Sequence, residues 1–221
     1  MSKLNYNPAT MRVYHFLSAN NALDDLRKRR IKLSEIDKLN DPFELWCSAQ
    51  ENRQMRKVLR EWKKEVARKY GVLCFCRQWH NPVLWSHYSD KHQGMCLGFE
   101  VDEKFLKPVI YAAKRTPLEL PATQETMDQL LFTKFRDWCY EEELRGWFSL
   151  DERDASSGYY FYSFDDKIQL REVIAGPLCE TPKATIDTAL HGYDGDHIRV
   201  VKSRLAFKEF QIVENQQGFR N

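Results

Sequence analysis

DWCYEEELR, residues 137–145, sets how the rest of this sequence is read. Bulky residues continue through Trp147 and Phe148, so the segment predicts a strand, in which successive side chains alternate between faces. Glu141, Glu143 and Arg145 then share one face. An unpaired charge is costly to bury, so that face either opens onto a cleft or pairs its charges internally. In a cleft, two carboxylates beside a guanidinium orient a sugar hydroxyl and stabilise positive charge. Otherwise the same residues form a salt-bridged, half-exposed strand.

Just upstream, residues 121–138 predict a helix leading into this strand, with Met127, Leu130, Leu131, Phe135 and Trp138 as its buried stripe. Downstream, strands are expected over residues 159–164 (YYFYSF), 168–176 and 197–207 with 209–214, and a short helix over 184–190. Toward the N-terminus, residues 11–17 (MRVYHFL) read as a strand with His15 between Val13 and Leu17 on one side, followed by a helix over 19–29 capped by Ser18. A short strand at 31–33 precedes the Asn40-Asp41-Pro42 turn, after which Phe43, Leu45 and Trp46 return to the core. Residues 51–70 form the clearest amphipathic helix, and 72–76 and 94–101 read as buried strands. Short strands with helices interspersed irregularly predict an α+β fold, one domain over residues 1–221, with antiparallel or mixed sheets and inserted helices.

A chain of 221 residues that is 43% hydrophobic and 13% aromatic can bury a sizeable core, which argues against disorder. Its net charge of +2 hides an asymmetry: residues 1–70 carry 16 Lys and Arg against 9 Asp and Glu, and the remainder 18 against 23. Two basic clusters make up that surplus: Arg27, Lys28, Arg29 and Arg30, and the outer face of helix 51–70, which carries Arg53, Arg56, Lys57, Arg60, Lys63, Lys64, Arg68 and Lys69 against Glu51, Glu61 and Glu65. The first has a structural explanation, because cations complement a helix C-terminus. The second is one-signed enough to suit a phosphate backbone as well as solvent. No apolar run approaches a membrane span and the N-terminus lacks an apolar signal core, so a cytoplasmic protein without membrane contact is expected, its six cysteines reduced. The histidines and cysteines of residues 74–96 follow no metal-ligand spacing, so no metal is expected.

Several stretches resemble one bacterial family, the domain-of-unknown-function family 2971. They are Tyr14-His15-Phe16, the turn from Leu39 to Glu44, Cys74-Phe75-Cys76, Leu84-Trp85-Ser86-His87-Tyr88 leading to His92, Gly94 and Cys96, Tyr140-Glu141-x-Glu143-x-Arg145, and Glu172-Val173-Ile174-Ala175-Gly176. More distantly, the order of elements is similar to the ADP-ribosyltransferase superfamily, with His15 on the first strand, Cys74-Phe75-Cys76 where many members have Ser-Thr-Ser, Tyr88, then Glu141-x-Glu143. This resemblance implies a split β core and an enzyme that takes NAD as substrate and transfers ADP-ribose to a macromolecule, nucleic acid among the candidates, as a toxin or antiviral defence effector; an antitoxin or other partner protein is a candidate partner whose existence the sequence leaves open. It implies Glu143 at the oxocarbenium-like ribose, Glu141 at the acceptor, Arg145 holding both, His15 at the adenosine-side ribose, and Tyr88, Trp85 or His87 against nicotinamide beside Cys76. Arg27, Lys28, Arg29, Arg30, Arg56, Arg60 and Lys64 would meet the acceptor. Two other classes compete: a noncatalytic nucleic-acid-binding or sensor module whose acidic strand only pairs with neighbouring cations, and a metal-independent nuclease using His87 and Glu143 as acid and base.

Overall fold

The computed structural model describes residues 9–48, 52–115, 123–193 and 197–219. In chain order the elements are β1 (Thr10–Leu17), α1 (Ala19–Lys28), β2 (Arg30–Glu35), α2 (Arg53–Lys69), β3 (Tyr70–Cys76), α3 (Pro82–Tyr88), β4 (Met95–Asp102), β5 (Lys107–Pro108), β6 (Ile110–Ala112), α4 (Gln124–Phe132), β7 (Thr133–Phe135), β8 (Glu143–Ser149), β9 (Tyr160–Ser163), β10 (Ile168–Ala175), α5 (Lys183–Ala189), β11 (Arg199–Leu205) and β12 (Ile212–Glu214). Sheets of mixed direction with irregularly inserted helices make the fold α+β. The chain divides into two compact units, one from Met1–Ile31, Phe75–Leu106 and Ser163–Asn221, the other from Lys32–Cys74 and Lys107–Tyr162.

The first unit is organised on β4, a near-continuous apolar strand paired antiparallel to β1 from Thr10↔Asp102 to Leu17↔Met95 and antiparallel to β10 on its other edge. Hydrogen-bonded on both sides, Met95, Cys96, Leu97, Phe99 and Val101 are completely buried. β10 continues parallel to β11, and β11 antiparallel to β12. Ser18 caps α1 by accepting the Asn21 N–H, and Arg29, in the left-handed conformation, ends it. Asn81 does the same for α3, with Pro82 in the first turn. The segment from α3 to β4 closes so tightly that a Cβ on Gly94 would lie 2.0 Å from the Leu17 carbonyl oxygen. Ser89, fully buried, gives its hydroxyl to the Leu17 and Met95 carbonyls.

In the second unit β2 and β3 pair antiparallel at Ser34↔Val72, β8 pairs with β3 and β5, and β6 pairs parallel with β7 at Tyr111↔Lys134. α2 begins at Asn52, whose side chain accepts the Gln54 N–H; Glu51 lies outside the described residues. On the amphipathic α2 only Leu59 is buried, and Val58 is 46% exposed.

Three expectations about this unit need correction. The helix over 121–138 is shorter: α4 ends at Phe132, and residues 133–135 are a strand. Thr133 is β-branched, and its long-range pairing with Ile110 overrides the helical spacing. Phe135 is consequently 44% exposed rather than part of a core stripe; Pro121 and Ala122 lie outside the described residues. The acidic strand also starts late. Residues 136–141 form 3-10 turns, Glu142 is left-handed (φ 46°), and the strand begins at Glu143. Phe43 likewise does not return to the core but is 51% exposed, whereas Leu45 is buried.

Candidate functional site

The second unit holds an interior cluster of charges. Arg145, 1% exposed, grips Glu143 with two hydrogen bonds, Nε to Oε1 at 2.6 Å and Nη2 to Oε2 at 3.0 Å. Its Nη1 meets Glu44 Oε1 and donates to the Leu131 carbonyl at 3.1 Å. Lys134 reaches in from β7 and bridges the two glutamates, 2.5 Å from Glu141 Oε2 and 3.1 Å from Glu143 Oε2. The Glu143 N–H is given to the Tyr111 hydroxyl at 2.8 Å. Glu141 and Glu143 therefore converge as the sequence predicts, but by a different route: the left-handed Glu142 turns the chain between them, and the cation they share comes from β7.

Burial alone would push the Glu143 carboxyl up, but Arg145 and then Lys134 outweigh it and hold it at about 2. Burial wins at Glu44, whose carboxyl is pushed above its ordinary value although Arg145 opposes the shift. Desolvation pushes the Cys74 thiol, half-buried beside Glu143, well up, so it is a protonated neighbour and not a thiolate. With three carboxylates on two cations the cluster is one positive charge short of neutral, and Glu44 is the member most inclined to take up a proton.

Beside this cluster lies a cavity of about 320 Å³ in the same unit. Lys134 and Thr133 form one wall; Phe43, Trp46, Arg115 and Phe135 form others, with Cys47 among them. The Arg115 guanidinium sits 4.8 Å over the Phe43 ring. The turn carrying Phe43 and Trp46 is pinned by Asp41, which accepts the Phe43 N–H, and holds Leu45 at φ 60°, a conformation that bulky side chains rarely adopt. Glu44, Phe43, Arg115 and Lys134 were not candidates on sequence. The signal for Glu44 was its place beside the Asn40-Asp41-Pro42 turn; the others share no local spacing with the glutamates.

The candidates from β1, α1 and the segment 76–88 belong to the first unit. His15 packs edge-on against Phe75, ring centroids 5.8 Å apart. Trp85 is fully buried, gives its indole N–H to the Trp79 carbonyl and packs against Phe16, which leaves no ring face for a ligand. Cys76 is buried with its thiol on the Tyr14 carbonyl. His87 is exposed and Tyr88 half-buried, their rings 5.9 Å apart. Much of the segment from Trp85 to Gly94 thus serves to close the turn into β4. Arg27, Lys28, Arg29 and Arg30 finish α1: Lys28 and Arg30 pair with Asp24, and Arg29 donates to the Gly192 carbonyl and covers Tyr193. A polar cluster that sequence reading passed over lies on β1, β4 and β10. Glu172, 5% exposed, accepts from Tyr14 and Arg199 over Gly98, with Arg12 Nη1 3.7 Å away. Burial and then Glu172 push the Tyr14 phenol up to about 12.

α2 presents the other sequence-predicted surface. It carries eight Lys and Arg against Glu61 and Glu65, and Arg56 is half-buried while Arg60 and Lys64 are exposed. Lys64 and Arg68 pair with those glutamates at i,i+3, and Lys63 donates to the Glu44 carbonyl at 2.6 Å and lies 5.9 Å from the Trp46 ring centroid. Among the described residues no His, Cys, Asp and Glu group could hold a metal ion, and no helix is long and apolar enough to cross a membrane. No protein-family model, no curated protein and no solved structure matches the chain.

Proposed function

We propose that the protein binds nucleic acid through its second unit, with the Glu141–Glu143–Arg145 cluster serving as an interior scaffold. One observation carries this reading: the solvent face of α2, where the six exposed cations Arg53, Lys57, Arg60, Lys64, Arg68 and Lys69 are opposed by two glutamates. Glu143 supports it from the other side, since its two oxygens are taken up by three hydrogen bonds from buried cations. Such a face attracts phosphates by releasing counterions, so affinity falls linearly on a log–log plot as salt rises. Fluorescence anisotropy of labelled single-stranded RNA and DNA over a salt series tests it. Binding with a slope of several units, unchanged by Glu143→Gln, is expected; no binding at low salt overturns the reading.

A second reading, NAD-dependent ADP-ribosyl transfer, is favoured by Lys134, which holds both glutamates and also walls the cavity. In it, Glu143 steadies the ribosyl cation and Glu141 the acceptor. A catalytic Glu143 must first release at least one buried charged hydrogen bond, at a cost of about 1.5–3 kcal/mol. Release of free nicotinamide from NAD, abolished by Glu143→Gln and by Glu141→Gln in folded protein, would favour transfer. Intact NAD in the presence of RNA, DNA and protein acceptors removes it.

A further inference from the structure

We infer that the cavity beside Lys134 is a slot for one unstacked nucleobase of a single strand, an inference that rests on the nucleic-acid reading above. Its chemistry is that of a flat, apolar ligand carrying negative charge. Two of its rings, Phe43 at 51% and Phe135 at 44%, are more exposed than phenylalanines usually are, and Trp46 adds a third. An aromatic face accepts any base by stacking, without reading its edge. Lys134 contributes little free charge to the slot, because Glu141 and Glu143 hold its ammonium. The phosphate therefore falls to Lys114 and Arg115, both exposed, lining the cavity and without a carboxylate partner among the described residues.

Continuity with α2 identifies the occupant as part of a polymer. Lys63 leaves α2 to lie over Trp46 and to hold the Glu44 carbonyl, so the basic helix and the cavity wall meet at one side chain. A strand whose phosphates run along α2 thus arrives at the rings with a base to insert. Asp41 and the left-handed Leu45 fix beforehand the turn that bears Phe43 and Trp46, and a base that stacks on the covered face of Phe43 takes the place of the Arg115 guanidinium, which is then released to the phosphate. At about 320 Å³ it lies at the small end of the range for ligand sites. A duplex keeps its bases stacked and offers only edges, so it cannot use such a slot.

The test compares native protein, Phe43→Ala and a Lys57→Glu/Arg60→Glu double variant on three labelled probes: oligodeoxythymidine, an abasic strand of the same length, and a duplex. Phe43 and the two cations are solvent-exposed, so thermal melts should stay unchanged. Phe43→Ala is expected to lose about ten-fold in affinity for oligodeoxythymidine, with its salt slope intact and its abasic binding unaltered. The double variant should weaken on all three probes and lose slope. If Phe43→Ala binds like native protein, if native protein does not distinguish the abasic strand, or if the duplex binds tightest, the slot is overturned while the α2 reading stands. If native protein binds none of the probes, both fall.

Discussion

Arg145 is the residue on which the second unit's interior depends, because one guanidinium serves Glu44, Glu143 and the Leu131 carbonyl. Arg145→Met would leave the three carboxylates of Glu44, Glu141 and Glu143 with Lys134 as the one cation of the cluster. Urea denaturation should show a loss of about 3–5 kcal/mol, the usual cost of breaking a buried pair from one side; a variant as stable as the native protein would mean the cluster is solvated. The same cluster fixes a pH dependence. Glu143 titrates at about 2 when folded against an ordinary value of 4.5, so its stabilisation is complete above the ordinary value and is lost as pH falls from about 5 toward 2. Glu44 is shifted upward and runs the other way, gaining stability on protonation. Glu44→Gln should therefore steepen the acid loss and Glu143→Gln should flatten it, as read by chemical denaturation at a series of pH values. That these acids would be paired was legible from their proximity to Arg145. Which cation they would share was not, because Lys134 reaches them only after β6 and β7 have paired.

α2 shows how far an element can be read from periodicity. That a helix lies within residues 51–70 and carries a basic face followed from spacing, although the helix itself runs Arg53–Lys69 and Tyr70 already belongs to β3. How firmly it is held did not, since burial depends on neighbours that pattern does not name. Leu59 is its one buried side chain among the described residues, so Leu59→Ala should cost about 2–4 kcal/mol and loosen the helix. Nucleic-acid affinity should fall with it, although no charge has changed. Val58→Ala, at a position nearly half exposed, should leave both stability and affinity close to native. Equal effects from the two variants, by circular dichroism and anisotropy, would show that α2 is not docked through Leu59. α4 and the acidic strand were less legible for the opposite reason: a local helical pattern ran on through Phe135, and a three-residue parallel pairing cut it short.

At the scale of the molecule, strands and helices were legible but their order in space was not. Nothing local in Met95–Asp102 says that its neighbours will be β1 from the first residues and β10 from near the end, because pairing partners are chosen by the fit of whole faces. The first unit is assembled from three separate stretches of chain, so it has no contiguous piece that carries its core. That arrangement has a measurable consequence. β4 is paired along nearly its whole length on both edges, and its apolar residues are fully buried, so its amides can exchange only when the sheet opens. In native-state hydrogen exchange the residues from Cys96 to Val101 should be the slowest in the protein, and those of the two-stranded pair β6–β7 should exchange sooner. Truncation before Ser163 removes β10, β11 and β12 and leaves one edge of β4 bare, so slow exchange at β4 should disappear altogether. Protection of β4 that survives this truncation would show that β1 alone can hold it, and that β10 is an addition to the core rather than part of it.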